Sequence, residues 1–125
     1  MDKKVKKVLL VDDHELNRDK IKYILEEIDL FDIKVITSDN GTDAIKISKS
    51  MKFDIIFLDL NLGDMTGEKV LKSIRSFDKQ TKVILLTATN EEDLTEYLKA
   101  ASSGHIHKSI KRKQFQESII KFLNT

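Results

Sequence analysis

Asp54-Ile55-Ile56-Phe57-Leu58-Asp59 sets four large apolar residues in an unbroken row with a carboxylate at each end. A run this short, apolar at every position and rich in branched side chains, fits a strand buried on both faces. Residues 8–11 (Val-Leu-Leu-Val), 35–37 (Val-Ile-Thr) and 83–86 (Val-Ile-Leu-Leu) have the same character. Between them lie longer segments whose apolar residues recur at three and four. These are Ile21, Ile24, Leu25 and Ile28; Val70, Leu71, Ile74 and Phe77; Leu94, Leu98 and Ala101; and Phe115, Ile119, Phe122 and Leu123. That period predicts amphipathic helices, the third of them over residues 90–100 with Glu91, Glu92 and Asp93 in its first turn, where they complement the helix dipole. A weaker helix over residues 42–50 is supported by Asp39, Asn40 and Gly41 as turn and cap residues. A fifth strand, Gly104–His107, follows mainly from the alternation, since its one isoleucine stands between two histidines.

Strand then helix, five times over, implies parallel pairing, right-handed crossovers and helices on both faces of one sheet. The expected fold is doubly wound α/β: a five-stranded parallel sheet with five helices, a single domain over residues 1–125. The 125 residues suit one domain, and 40% hydrophobic content supplies its core. With no cysteine, disulfides, thiolate metal sites and cysteine nucleophiles drop out. Lys and Arg number 22 against 21 Asp and Glu, a net charge of +1, so direct nucleic-acid binding is not expected and charged partners must be met locally. The lysines at 3, 4, 6 and 7 and the basic residues 111–113 read as solvated flanks. No apolar run is long enough for a membrane span, and no leader is evident; a cytoplasmic protein is expected. Asn124 and Thr125 leave no room for an output domain within this sequence.

In doubly wound sheets ligands bind beyond the carboxyl ends of the strands, where strand order reverses. The residues there are Asp12 and Asp13 after the first strand, Asp59 after the third, Thr87 after the fourth and Lys108 after the fifth. Any one aspartate in such a place reads as a cap or turn former; five polar groups on one edge read differently. Three carboxylates a few ångströms apart repel one another by about 4 kcal/mol per close pair at an effective dielectric near 20. One lysine does not offset that, whereas a divalent cation does, and an all-oxygen ligand set suits Mg2+ with phosphate-bearing substrates. Between a metal and the Lys108 ammonium, one carboxylate gains a place where an arriving phosphoryl group's charge is neutralised, and a carboxylate is an accepted nucleophile for such transfer. The Thr87 hydroxyl would donate to a phosphoryl oxygen.

The stretches Val8-Leu9-Leu10-Val11-Asp12-Asp13, Asp54 to Asp59, Gly63-Asp64-Met65-Thr66-Gly67, Val83-Ile84-Leu85-Leu86-Thr87-Ala88 and Gly104-His105-Ile106-His107-Lys108 together resemble the receiver domain of bacterial two-component response regulators. The resemblance covers essentially the whole chain and implies a flavodoxin-like fold of the chemotaxis-regulator type. It makes Asp59 the phosphoacceptor, Asp13 and Asp59 direct metal ligands, Asp12 a ligand through water, and Asn61 a ligand through its backbone carbonyl. A histidine kinase or histidine phosphotransfer protein would supply the phosphoryl group, docking near His14 to Arg18. The output would be altered binding to a downstream protein or effector domain through the face of the fourth helix, fifth strand and fifth helix, on which Tyr97 also lies. Such a domain catalyses its own phosphorylation and is not a turnover enzyme. Asn61 and Thr89 sit where the family tunes dephosphorylation.

The sequence departs from the family pattern through its complete lack of proline, where average usage would place about six. Ser109 stands after the lysine where the family usually has a proline, often cis; a cis bond to serine would cost roughly 2.5–4 kcal/mol, so a trans bond with a shifted loop or a strained exception is expected. Gly63 replaces a stiffening proline after the phosphoacceptor, which predicts a looser loop. His105 stands where an aromatic switch residue is common; an imidazole can serve there, or be a half-exposed strand histidine. These departures motivate a second reading, a phosphorylation-independent interaction module. A phosphatase acting on small phosphate esters is disfavoured, because Asn61 occupies the position two residues beyond Asp59 where a second aspartate is needed. Other motifs fail on spacing. Residues 63–69 lack the P-loop gap, residues 59–70 lack the glycine and glutamate that a calcium loop has at its sixth and twelfth positions, and the three histidines lack the helical spacing of a zinc site, though His105 and His107 share a strand face.

Overall fold

The apolar runs become strands because helices cover them on two sides: β1 (Val5–Val11), β2 (Asp32–Ser38), β3 (Ile55–Asp59), β4 (Lys82–Thr87) and β5 (Gly104–His107). The helices are α1 (Glu15–Glu26), α2 (Gly41–Ser50), α3 (Gly67–Phe77), α4 (Glu96–Ala101) and α5 (Arg112–Leu123). This computed structural model describes residues 3–125; Met1 and Asp2 lie outside the described residues. All pairings are parallel, in the order β2-β1-β3-β4-β5. The chain winds outward one way from β1 to β2 and the other way from β3 to β5, so the crevice falls at the carboxyl ends of β1 and β3.

Period-two alternation divides the sheet's side chains between two cores. Val8, Leu10, Ile55, Phe57, Ile84, Leu86 and Ile106 pack against α1 and α5 through Ile21, Ile24, Leu25, Phe115, Ile119 and Leu123. Leu9, Val11, Ile56, Leu58, Val83 and Leu85 face Ala44, Val70, Leu71, Ile74, Leu94 and Leu98. Each of these side chains other than Ala44, taken fully out of water, stabilises the fold by about 1.5–3 kcal/mol. That burial holds the strand ends, and whatever side chains they carry, in fixed relative positions.

The helix expected over residues 90–100 is broken. A single 3-10 turn, Glu91–Asp93, is followed by an extended Leu94, and α4 begins only after Thr95, whose hydroxyl oxygen accepts the Leu98 N–H at 3.2 Å. A threonine side chain that caps the backbone offers it an alternative to continuing a helix, so Glu91, Glu92 and Asp93 lie ahead of α4 instead of in its first turn. The same hydroxyl donates to Glu68 Oε1 at 2.6 Å, tying the start of α4 to α3. Arg75 ties the other end, donating to the carbonyls of Ala101, Asp78 and Thr81. Among the described residues no helix is long and apolar enough to cross a membrane.

Candidate functional site

Four of the five strand ends deliver polar groups to the crevice, β1 two of them. Asp12 and Asp13 follow β1, Asp59 ends β3, Thr87 ends β4, and Lys108 follows β5. Asp12, Asp59 and Thr87 are buried, at 0%, 3% and 2% exposure, while Asp13 faces solvent. Carboxylate oxygens of Asp12, Asp13 and Asp59 all lie within 4.8 Å of one another, the one group among the described residues arranged to hold a metal ion.

The partners of these oxygens are unevenly distributed. Asp59 Oδ2 is 2.8 Å from Lys108 Nζ, and its Oδ1 accepts the Asn61 N–H at 3.0 Å. Asp12 Oδ1 accepts the His14 N–H at 2.9 Å, but Asp12 Oδ2 is buried with no partner. Burial raises the Asp12 carboxyl above the ordinary aspartate range, and the charge of Asp59 adds to it, against the pull of the His14 N–H and Lys108. Three carboxylates thus share one ammonium, and one buried oxygen lacks any donor. Donor type, charge and the orphaned atom all fit a hard divalent cation.

The loops that frame the crevice are held by bonds that the sequence does not advertise. Arg18, one turn into α1, donates to the carbonyl of Asp12 at 2.9 Å and closes the β1–α1 loop. The Lys108 N–H donates to the Thr87 carbonyl at 2.8 Å, extending the pairing of β4 and β5 one residue past the strands. Among the described residues no peptide bond is cis, so the Lys108–Ser109 bond is trans. Its turn is secured by His107, whose Nδ1 accepts the Ser109 N–H at 3.1 Å and lies 2.7 Å from the Ser109 hydroxyl. Lys108 accordingly reaches Asp59 without a proline behind it. Thr87 Oγ1 accepts the Thr89 N–H at 2.8 Å, which leaves its own proton free to be donated.

Gly67, the first residue of α3, packs directly under the end of β3: a Cβ there would lie 2.7 Å from both the Asp59 carbonyl oxygen and Leu60 Cα. Gly63 is different, since a Cβ there would meet only Asp13 Oδ2, at an ordinary 3.8 Å. The loop carrying Gly63 is nevertheless tied down. Asp64 accepts the N–H groups of Gly41 (2.8 Å) and Thr42 (3.0 Å) and the Thr42 hydroxyl (2.9 Å) at the start of α2. Those backbone donors hold its carboxyl down at about 2. The stabilisation is complete above the ordinary carboxylate range and is lost only as pH falls through that depressed value. The loop expected to be loose is therefore anchored, by a bond 23 residues distant in sequence. His105, half-buried opposite Leu85, shares its face of β5 with His107, toward α4.

Residues 8–120 match the family model described as "Response regulator receiver domain". This chain belongs to that family. The receiver is 32% identical over 114 residues to a nitrate/nitrite response regulator protein homolog of Haemophilus influenzae, covering 90% of this chain and 54% of that one. It is 30% identical over 105 residues to the nitrate/nitrite response regulator NarL of Escherichia coli, covering 82% of this chain and 48% of NarL. The chain spans about half the length of these curated relatives. Among solved structures, the receiver superposes on the chemotaxis protein CheY4 of Vibrio cholerae with a TM-score of 0.82 at 26% identity, covering 94% and 98% of the two chains. The receiver domain of sensor histidine kinase PA1611 from Pseudomonas aeruginosa shares the fold, with a TM-score of 0.83 at 23% identity over 96% and 98%.

Proposed function

We propose that residues 1–125 act as one phosphoacceptor receiver, in which Asp59 takes a phosphoryl group from the phosphohistidine of a histidine kinase or phosphotransfer protein, with Mg2+ as cofactor. The observation that carries this is the state of two neighbouring buried carboxylates: Asp59, paired to Lys108 at 2.8 Å, and Asp12, with one oxygen lacking any donor. In the PA1611 receiver domain a magnesium ion is coordinated in the active site cleft. Here Asp13 and Asp59 would hold the ion directly, Asp12 through water and Asn61 through its backbone carbonyl. When bound, it neutralises the carboxylates and the incoming phosphoryl oxygens.

In the transfer, an Asp59 oxygen forms the new bond to phosphorus as the donor's nitrogen–phosphorus bond breaks, the bonding pair leaving with the imidazole. Lys108, already on Asp59, balances the charge added at the acyl phosphate. Thr87 turns its free proton to a phosphoryl oxygen, which draws the segment after β4 inward and alters the face made by α4, β5 and α5. His105 and Tyr97 lie on that face and would report the change to a downstream protein or effector domain, in a cytoplasmic signalling role and not as a turnover enzyme. Leu16 and Tyr23, 80% and 60% exposed on α1, give a donor helix an apolar stripe beside the crevice. The phosphorylation-independent reading rests on the departures at Gly63, His105 and Ser109, yet the Lys108–Asp59 pair forms despite them.

Beryllofluoride with Mg2+, a stand-in for the acyl phosphate, tests this by amide NMR. The expected result is large shifts at Asp59, Thr87, Thr89 and Lys108, spreading to α4 and β5 and absent from Asp59→Asn. Spectra unchanged by the mixture would favour the constitutive binding module.

A further inference from the structure

Between Asp59 and Gly67 the chain must present Asn61 to the acidic cluster, and only part of that loop is fixed from within. The Asn61 N–H is bound to Asp59, Asn61 and Thr66 form an antiparallel bridge, and the Gly67 N–H donates to the Leu60 carbonyl at 2.8 Å. The tip of the loop is Gly63, which has no side chain to pack and no close neighbour at its Cβ position. A glycine at a loop tip adds backbone freedom that some other contact must remove if the loop is to hold one shape.

Asp64 is that contact. Its two oxygens receive three hydrogen bonds from Gly41 and Thr42, all within 3.0 Å, from an element that belongs to neither flanking strand. The following residue reinforces the attachment: Met65 lies so close over Gly41 that a Cβ there would be 2.4 Å from its Cγ. On the other side the tip adjoins the cluster, for Asp13 Oδ2 is the neighbour of the Gly63 Cβ position at 3.8 Å. Asp64 is thus bound to α2 on one side while its loop borders the carboxylates on the other. α2 is itself well anchored, with Asn40 capping it through the Asp43 N–H at 2.7 Å and Ala44 in the core.

We propose that Asp64 is a positioning residue, clamping the 60–66 loop to the start of α2 so that Asn61 and Asp59 are set for the cation before it arrives. The inference rests on the phosphoacceptor reading, because it concerns the same Mg2+ site. It assigns Asp64 no contact with the metal or the phosphoryl group; its effect passes through the loop. Residues that orient metal ligands typically change affinity by 10- to 100-fold when removed. The exposed setting of Asp64 places it at the lower end of that range.

The test compares wild type, Asp64→Ala and Thr42→Val at 0.15 M salt, where long-range charge effects are largely screened. Mg2+ affinity is measured by calorimetry, melting temperature by thermal denaturation, and exchange of the Gly41 and Thr42 amides by NMR. For Asp64→Ala the expected result is a Kd for Mg2+ about tenfold weaker, with faster exchange at both amides. Thr42→Val, which keeps the carboxylate and loses one bond to it, should weaken Mg2+ by a smaller but measurable factor. A Kd unchanged in Asp64→Ala while its melting temperature falls would reduce Asp64 to an ordinary helix cap and overturn the proposal. Weakening in Asp64→Ala with Thr42→Val identical to wild type would assign the effect to charge alone and overturn it too. Wild type without Mg2+ affinity would instead remove the metal reading itself, whatever the amide exchange showed.

Discussion

Asp12→Asn should give a protein that is more stable than wild type without metal and no longer stabilised by Mg2+. Asp12 is fully buried, one of its oxygens has no donor, and a second carboxylate stands beside it. An asparagine keeps an oxygen for the His14 N–H and removes the uncompensated charge. Relieving a buried unsatisfied polar group is worth about 1–3 kcal/mol, or several degrees in melting temperature for a domain of this size. The sign with pH follows from the raised carboxyl. The charged form weakens the fold above the raised value, so the advantage of Asp12→Asn is full only above it. It fades as pH falls through that value toward the unfolded one, because wild type then takes up its proton in the folded state. Thermal denaturation with and without Mg2+ at two pH values checks both halves. A variant less stable than wild type in metal-free buffer would show that both Asp12 oxygens are satisfied.

Lys108→Ala should move stability and metal affinity in opposite directions. The ammonium sits 2.8 Å from an Asp59 side chain that is only 4% exposed, while Lys108 itself is 27% exposed. Removing one partner of a fully buried pair costs about 3–5 kcal/mol; solvent access to the lysine lowers the expected loss here to about 2 kcal/mol. With the competing ammonium gone, the cluster should bind Mg2+ more tightly than wild type. Phosphoryl uptake should nevertheless slow by about a hundredfold, the usual order for losing one preorganised charge at the site where charge develops. Denaturation, calorimetry and uptake rates read the three effects separately. Weaker Mg2+ binding in Lys108→Ala would mean that the lysine supports the metal site instead of competing with it.

Much of this fold was legible because burial on two faces leaves an unmistakable pattern: residues 8–11, 55–58 and 83–86 are apolar at every position, and each lies within a strand. The alternation then located Asp12, Asp13, Asp59, Thr87 and Lys108 at one edge, where the structure brings them together. The helix over residues 90–100 misled because Leu94 and Leu98 keep a helical spacing across a break; both face the core, but Thr95 caps the backbone between them. Local chemistry overrode a correct apolar pattern. At Gly63 and Ser109 the absence of proline was visible, and the side-chain bonds that stand in for it were not. Asp64 reaches α2 across 23 positions, and His107 closes the Ser109 turn by a side-chain bond that no spacing rule anticipates. The orphaned oxygen of Asp12 is likewise a three-dimensional fact: the aspartate could be read, but not which of its oxygens would lack a donor.

The central claim is that Asp59 accepts a phosphoryl group in a metal-dependent reaction, and intact-mass spectrometry after incubation with acetyl phosphate tests it most directly. The account predicts gain of one phosphoryl group by wild type when Mg2+ is present, no gain when the metal is chelated, and no gain by Asp59→Asn under either condition. Uptake that persisted in Asp59→Asn or ignored Mg2+ would contradict it, as would an absence of uptake by a wild-type protein that also fails to respond to beryllofluoride with Mg2+.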